Sequence, residues 1–426
     1  MAPEKTNGEV ATIPLIINNE LVITENLFEV RNPATGKLIS QCAGASVNEA
    51  NLAVTSAKAA FLGWKTINPY KRRAILSRAA DVMLSRKEEL IQYQMEETGA
   101  ARMFVEMTFH TGVEFVRDFA AMIPSIEGRV PTVSVKDEKA MVLKQPYGVI
   151  LGIAPWNAPY ILGIRAVALP LAAGNTVILK GSELSPKCFW ALGDVFREAG
   201  LPAGCLNVIY HQPSEAVAVT NALIAHPDVR KISFTGSTNV GAIIASAAGR
   251  YIKPVLLELG EKLFGKKMDA PVLVNASAVN KNRDLVHDAL SKGADIVYGN
   301  PEVNESSANG LRPVVVGNIT KEMNVYHTES FGPTVSLFVV DNEDEAIQLA
   351  NDTEYGLTSA VFTTNLFSGL RVADRIESGA VHINSLTVHD ESTLPHGGWK
   401  SSGFGRFGGI SGYDEWLQTK TVTWME

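Results

Sequence analysis

Residues suited to binding a phosphate group stand in the middle of the chain, at Thr235, Gly236 and Ser237. The apolar run 231–234 before them predicts a short buried strand, and the small residues at 241–249 predict a helix. A strand that enters a helix through glycine and serine leaves free backbone N–H groups at the helix N-terminus, which attract an anion such as a pyrophosphate. We therefore predict a pyrophosphate site here, with a plain strand–turn–helix as the alternative.

A carboxylate that could act as a base follows this turn, at Glu258. It is the only charged residue in the run 255–259, whose other members are valine and leucine. Apolar surroundings disfavour the ionised form, raise the pKa of a carboxyl group and so suit it to general-base work. We expect a raised pKa and a catalytic role for Glu258. A strand-end acid with a purely structural role is the alternative.

The sequence gives little indication of a reactive thiol or of a metal site. The three cysteines, Cys42, Cys188 and Cys205, are far apart, which argues against a disulfide framework or a metal knuckle and predicts a reducing compartment. Nothing beside them indicates an activated thiol, and Cys188, next to Phe189 and Trp190, is predicted as core. The eight histidines show no paired metal-ligand spacing, so we expect no metal site.

The composition indicates a soluble α/β protein of two or three structural units. The chain has 426 residues, of which 46% are hydrophobic and 19% are charged, with 35 glycines. A net charge of -7 and the lack of a basic run argue against nucleic acid as a partner. We expect no signal peptide and no membrane span, because prolines and Arg165 interrupt the most apolar region, 149–179. A cytoplasmic location follows from these expectations.

The elements that position these residues are predicted to alternate between strands and helices. Apolar runs at 149–154, 176–180, 206–210 and 231–234 predict strands, and the segments between them predict helices. This alternation is typical of a doubly wound parallel sheet, which binds ligands at the carboxyl ends of its strands.

Lys180 and Glu183 follow one of these predicted strand ends. They could hold ribose hydroxyls or form only a surface ion pair. Ser182 is predicted to cap the next helix.

Two segments outside this sheet carry clear local signals. Ser46 and Glu49 form a capping box that predicts the start of a helix. The segment 132–145 alternates around a charged turn at Asp137 and Glu138, which predicts a hairpin that could pair with another subunit.

Six motifs, in order, resemble those of the NAD(P)-dependent aldehyde dehydrogenase superfamily. They are PWNAP at 155–159, KGSE at 180–183, FTGS at 234–237, LELG at 257–260, ESFGP at 329–333 and PHGGWKSSG at 395–403. The segment 156–165 is also similar to the salicylaldehyde and vanillin dehydrogenase branch, which implies an aromatic aldehyde as the small-molecule substrate. The resemblance covers nearly the whole chain.

The resemblance implies an α/β fold of the aldehyde dehydrogenase type. A Rossmann-type NAD-binding domain would comprise residues 1–124 and 149–260, and a second, shortened α/β catalytic domain would span 261–410. A small β oligomerisation element would comprise 125–148 and 411–426. It implies a homo-oligomer, a dimer or a tetramer.

The resemblance also implies roles for individual residues. Asn157 would donate its amide to the oxyanion of a thiohemiacetal, and Glu258 would activate the water that hydrolyses a thioester. Glu183 would favour NAD over NADP. The implied cofactor contacts are Trp156, Lys180, Ser182, Glu183, Phe234, Gly236, Ser237, Gly241, Leu259, Glu329 and Phe331.

The chain departs from the family at the nucleophile. The family's chemistry begins with a cysteine that attacks the aldehyde, and no cysteine follows Cys205 here. The family also places on the order of sixty more residues between Glu258 and Glu329, which is several secondary-structure elements. We expect an internal deletion at the junction between Gly260 and Glu261, which removes the cysteine segment and at least one strand of the second domain.

Three interpretations stay open at this point. The chain is an aldehyde dehydrogenase by descent, impaired because a shortened or mis-spliced message lacks the cysteine. Alternatively, it is a non-catalytic NAD-binding pseudoenzyme or an assembly partner. A third possibility is a chain that folds poorly, since the deletion would expose strand edges in the second domain.

Overall fold

The structure, a computed structural model, describes residues 10–260, 272–302 and 308–426. The predicted junction between Gly260 and Glu261 therefore lies at the edge of the described residues. The described strands before the junction are β1 (Thr12–Ile13), β2 (Leu15–Ile17), β3 (Glu20–Val22), β4 (Leu27–Arg31), β5 (Leu38–Ala43), β6 (Glu138–Pro146), β7 (Val149–Ile153), β8 (Thr176–Lys180), β9 (Leu206–Ile209), β10 (Val229–Gly236) and β11 (Val255–Leu259). The helices there are α1 (Val47–Thr66), α2 (Pro69–Ser85), α3 (Lys87–Thr98), α4 (Arg102–Met122), α5 (Pro159–Ala172), α6 (Pro186–Glu198), α7 (Ala216–Ala225) and α8 (Thr238–Gly249).

The described part after residue 271 holds shorter elements. Its strands are β12 (Asp295–Tyr298), β13 (Val314–Gly317), β14 (Thr334–Ser336), β15 (Tyr355–Gly356), β16 (Thr358–Val361), β17 (Ala380–Ile383), β18 (Trp399–Lys400), β19 (Gly403–Phe404) and β20 (Leu417–Met425). Its helices are α9 (Ala276–Ser291), α10 (Asn324–His327), α11 (Glu343–Asn351), α12 (Leu366–Arg375) and α13 (Gly409–Asp414).

An eight-stranded sheet forms the centre of the molecule. Its order is β19-β11-β10-β7-β8-β9-β2-β3, and the strands from β11 to β9 are parallel. The sequence-predicted α/β alternation is thus confirmed. The non-sequential order, in which β10 and β11 lie on one side of β7 and β8 and β9 on the other, is that of a doubly wound sheet. The carboxyl ends of five parallel strands therefore share one edge.

Helix α5 accounts for the high apolar content of the region 149–179. All of its residues are buried between β7, β8 and the helices α4 and α6, including Arg165 and Pro170. Among the residues that the structure describes, no helix has the length and apolarity to cross a bilayer.

The start of α1 agrees with its sequence prediction, whereas the start of α6 does not. The capping box is confirmed, since the Ser46 hydroxyl accepts from the Asn48 N–H at 3.1 Å and the Glu49 carboxylate accepts from the Ser46 N–H at 2.8 Å. Ser182, however, does not cap α6. Its hydroxyl accepts from Leu184 within a turn, at 3.2 Å.

The N-terminus of α6 is capped by a residue from another helix. The buried Glu97 of α3 accepts hydrogen bonds from the N–H groups of Lys187 and Cys188 at 2.9 and 3.0 Å. Burial raises the pKa of Glu97 to about 7, and these two hydrogen bonds act against that rise. A carboxylate 90 residues away thus replaces the local cap, which no short-range pattern could indicate.

The predicted hairpin at 132–145 is also wrong. The structure has no strand at 132–137, and β6 instead pairs with β20 in an antiparallel ladder along its full length. Both strands have nine residues, so their ladder satisfies more backbone groups than a short local hairpin could. Residues 138–145 do form a strand, as predicted, but their partner is the C-terminal strand β20 and not residues 132–137.

The second half of the chain contains fragments of sheet. The order β12-β13-β14 forms one sheet and β16-β17 another, and β12 is antiparallel to β13 whereas the pairs β13-β14 and β16-β17 are parallel. In the described residues no ladder joins β14 to β16. Large apolar side chains near these strands are exposed, with Val339 at 90%, Phe362 at 69% and Phe367 at 81%. A sheet of only two strands, such as β16-β17, is marginally stable by itself.

Amide hydrogen exchange should distinguish the two regions. We expect the amides of β14 to exchange at least tenfold faster than those of β7, because β7 is buried between two neighbouring strands whereas β14 pairs on one side only in the described residues. Strand β8, also central, serves as the control and should be protected like β7. Equal protection of β14 and β7 would show that the second region has closed its open edges.

Candidate active site

The carboxyl edge of the central sheet brings the predicted site residues together. The register pairs Glu258 with Thr235 and Leu259 with Gly236, so the ends of β11 and β10 are side by side. It also pairs Phe234 with Ile153 and Ile153 with Lys180, which places β7 between β10 and β8. Trp156 and Asn157 follow β7 directly, so residues from four segments of the chain meet at this edge.

The predicted phosphate turn has the expected geometry. Helix α8 begins at Thr238, and its N-cap Ser237 makes no side-chain capping hydrogen bond. Gly241, in the first turn, lies against Leu259, and a Cβ added there would come within 2.5 Å of that side chain. Glycine therefore lets α8 pack closely on β11, with its first N–H groups at the carboxyl edge, an arrangement that fits an anion.

Lys180, Ser182 and Glu183 form the second corner of the edge. Burial lowers the pKa of Lys180, and the charge of Glu183 counteracts that effect, so the two groups lie within electrostatic range. The Ser182 hydroxyl lies 3.3 Å from a Glu183 carboxylate oxygen. A Cβ added at Gly181 would approach the ring of Phe189 to 2.6 Å, so glycine at this position lets the chain pass close to that ring.

A loop from the second half of the chain reaches the same edge. Phe331 makes an edge-to-face contact with Trp156, with their ring centroids 6.1 Å apart. Glu329 lies near Tyr355, since its charge contributes, after burial and Glu354, to the raised pKa of that phenol. The structure thus brings Phe331 to the residue beside Asn157 and leaves Glu329 close to the edge.

Asn157 has a polar atom without a partner. Its Oδ1 is buried and accepts no hydrogen bond from the described residues. Buried amide groups are normally satisfied, and an orphaned one often marks a position that a ligand completes. This fits a side chain that faces a substrate.

Glu258 lies in a buried ion-pair network. Arg165 donates from Nη2 to Glu258 Oε2 and from Nη1 to Asp390 Oδ2, the latter at 2.6 Å. His396 Nε2 lies 3.2 Å from Glu258 Oε1, and the Thr235 hydroxyl donates to Oε2 at 3.3 Å. Arg165 is 3% exposed and Glu258 is 7% exposed, so both charges are removed from water.

The expected rise in the pKa of Glu258 is wrong. Burial does act to raise it, but the positive charge of Arg165 and the hydrogen bond from His396 outweigh burial and lower the pKa to about 2. The sequence showed only the apolar neighbours along β11. A carboxylate held this way is ionised and has a hydrogen-bond partner at each oxygen, which opposes its use as a proton acceptor.

Sequence reasoning missed the partners of Glu258. Arg165 entered only as a break in an apolar region, and Asp390 was not considered. A lone arginine within a helix as apolar as α5 was the available signal, because a buried guanidinium requires a carboxylate. Nothing local indicated which carboxylate, since Glu258 is 93 residues away and Asp390 is 225 residues away.

The cysteines are not activated, as the sequence predicted. All three are buried, and burial raises the pKa of each thiol above its ordinary value, for Cys205 to about 12. In the described part of the chain, no group of His, Cys, Asp and Glu could hold a metal ion.

Comparison with known proteins shows one consistent relationship. The sequence model of the Aldehyde dehydrogenase family matches residues 22–264 and 262–422. A vanillin dehydrogenase of Pseudomonas sp. strain HR199 is 38% identical and is matched over 96% of this chain and 97% of its own. A salicylaldehyde dehydrogenase of Pseudomonas sp. strain C18 is 32% identical over the same shares. The crystal structure of a salicylaldehyde dehydrogenase from Pseudomonas putida G7, complexed with salicylaldehyde, superposes with a TM-score of 0.93 at 32% identity, over 97% of this chain and 98% of that one.

The alignment with the vanillin dehydrogenase is longer than this chain. It runs over 473 positions, whereas 96% of 426 residues is about 409 residues. About sixty positions of the alignment therefore have no residue in this chain. The two family matches meet at residues 262–264.

Replacement of Arg165 by methionine tests the ion-pair network. We expect the free energy of unfolding at pH 7 to fall by about 3–5 kcal/mol, since Glu258 would stay buried without its countercharge. The double variant Arg165→Met with Glu258→Gln should recover part of this loss. Urea unfolding provides the measurement, and Arg102→Met, at an exposed arginine with glutamate partners, is the control that should leave the midpoint nearly unchanged.

The same network predicts a pH dependence. The pKa of Glu258 is lowered in the folded state, to about 2, from an unfolded value of about 4.3. Its contribution to stability is therefore fully present above about pH 4.3 and is lost as the pH falls towards 2. The difference in stability between the wild type and Glu258→Gln should shrink over this window. If the stability difference stayed constant over this window, the ion pair would not contribute to the stability of the folded state.

Proposed function

This chain belongs to the aldehyde dehydrogenase family, and on that premise we propose that it binds NAD and descends from an enzyme that oxidises aromatic aldehydes to carboxylic acids. The named activities of its relatives support the substrate class, since vanillin and salicylaldehyde are both aromatic aldehydes. The aromatic pair Trp156 and Phe331 at the carboxyl edge fits a planar ring nearby.

The residues at the carboxyl edge of the sheet are suited to binding NAD. The open N-terminus of α8 would hold the pyrophosphate, Lys180 and Glu183 the adenosine ribose, and Glu329 and Phe331 the nicotinamide riboside. Bound NAD supplies a hydride acceptor. Glu183 opposes a 2′-phosphate by charge, which supports NAD rather than NADP. The supporting observation is that the N-terminus of α8, uncapped by its own N-cap side chain, and the strand end at Lys180 lie at one sheet edge, where Phe331 contacts Trp156.

We propose further that this chain does not complete oxidation through a thioester. The cysteines support this proposal. No cysteine follows Cys205, and all three thiols are buried with raised pKa values. Asn157 could still donate its amide to a developing oxyanion, but no activated sulfur is available to create one. Glu258, held by Arg165, adds a second obstacle at the hydrolytic step.

An internal loss explains these features together. The break between the two family matches and the roughly sixty unmatched alignment positions support a deletion close to Gly260, within a second domain that is shortened as a result. The fragmented sheets β12-β13-β14 and β16-β17 are in keeping with a missing strand.

A non-catalytic NAD-binding role or assembly role is the second candidate. The saturated ion pair of Glu258 favours it, because this arrangement stabilises the fold without offering a base. The long β6–β20 ladder, much of which is exposed, would serve assembly into a homo-oligomer.

Calorimetric titration tests the cofactor proposal. NAD should bind the wild-type chain, and Glu183→Ala should weaken binding about tenfold, since a hydrogen bond to a charged group is lost. Glu20→Ala, at an exposed glutamate on the edge strand β3 of the same sheet, is the matched control. Unchanged affinity in Glu183→Ala would remove Glu183 from the site.

An activity assay tests the loss of covalent chemistry. With vanillin or salicylaldehyde and NAD, the purified chain should form NADH several orders of magnitude more slowly than a relative that keeps the cysteine, as expected when the nucleophile of a concerted set is removed. Turnover at the relative's rate that disappears on thiol alkylation would contradict the proposal, because it would require one of the three buried cysteines to act.

A further inference from the structure

His211 is a buried titratable residue that the proposed cofactor contacts do not include. It follows β9 by two positions, and the register pairs the last residue of β9, Ile209, with Lys180. His211 therefore lies at the same carboxyl edge of the sheet, just after the end of β9, which is the strand next to β8. It is 2% exposed, and its Nε2 has no hydrogen-bond partner among the described residues.

The surroundings of His211 specify its protonation state. Burial, and after it the positive charge of Lys180, lower the pKa of the imidazole to about 4, although the hydrogen bond with Gln212 and the charge of Glu183 act in the opposite direction. The ring is therefore neutral at physiological pH. The electrostatic effects of Lys180 and Glu183 also show that both groups lie near the ring.

The hydrogen bond at the other nitrogen assigns the tautomer. Nδ1 lies 2.9 Å from the backbone carbonyl oxygen of Gln212, which can only accept. Nδ1 must therefore carry the proton, and a neutral imidazole then presents a bare lone pair at Nε2. An acceptor of this kind, buried without a donor, costs free energy that a ligand hydroxyl could offset.

We propose that His211 is a specificity-determining residue of the adenosine subsite, whose Nε2 accepts a hydrogen bond from a ribose hydroxyl of NAD. This inference rests on the proposed NAD binding and deepens it. A ribose hydroxyl can donate to the lone pair, whereas the 2′-phosphate of NADP has only acceptor oxygens and would face it unfavourably. His211 and Glu183 would thus both select against the phosphate, one by its lone pair and the other by its charge.

Two substitutions separate the roles of the two ring nitrogens. His211→Asn can keep a donor near the Gln212 carbonyl but places no atom at the Nε2 position. His211→Gln places an amide near the Nε2 position, and this amide can turn an N–H group towards a phosphate. His110→Gln, at an exposed histidine on α4, is the matched control.

The experiment is calorimetric titration of the wild type and these variants with NAD and with NADP. We expect His211→Asn to weaken NAD binding several-fold and His211→Gln to reduce the preference for NAD over NADP about tenfold, as for one hydrogen bond exchanged at a charged group. The control should match the wild type for both dinucleotides. Thermal unfolding identifies a variant that fails to fold, in which case the other variant carries the test.

Failure of this inference can be told apart from failure of the proposed function. If the wild type binds NAD and both folded variants keep its affinities for NAD and NADP within twofold, His211 is not part of the subsite while NAD binding stands. If the wild type binds neither dinucleotide, both the proposed cofactor and the role of His211 are overturned.

Discussion

The structure depends on the neutralisation of one buried carboxylate. Glu258 lies near the end of β11, where water cannot solvate its charge, and the buried arginine of α5 provides the compensation. Arg165 binds Asp390 as well and stacks on the ring of Phe407, 4.5 Å from its centroid. The network therefore ties β11, α5 and the C-terminal segment into one unit, and β19 adds a backbone pairing with β11.

The same interaction limits what the site can do. A general base needs a free oxygen and a pKa not far from the working pH, whereas Arg165 and His396 occupy both oxygens of Glu258 and keep it strongly acidic. Binding of a dinucleotide makes no such demand, because it uses strand ends and a helix N-terminus that the network leaves open. In the described part of the chain, the strand ends and the helix N-terminus suited to a dinucleotide are thus separate from the ion pair of Glu258, and all three thiols are buried.

Local patterns predicted the parts of the fold that local physics decides. Apolar runs separated by turn residues indicated the parallel strands from β7 to β10, and Ser46 with Glu49 indicated the start of α1. Long-range partners decided the rest. Glu97 caps α6, and β20 replaces the expected local hairpin partner of β6. In each case the competing interaction lies far along the chain, so short-range reasoning could not weigh it.

Direct titration of the Glu258 carboxyl group is the measurement that tests this account most sharply. Its side-chain ¹³C resonance can be followed against pH in protein labelled at glutamate and assigned by its disappearance in Glu258→Gln. The ion pair predicts that the resonance stays in its ionised position from neutral pH to below about pH 4, as for a carboxylate paired with arginine. A midpoint near or above pH 6 would contradict the account, because it would describe a carboxyl group free of Arg165 and suited to act as a base.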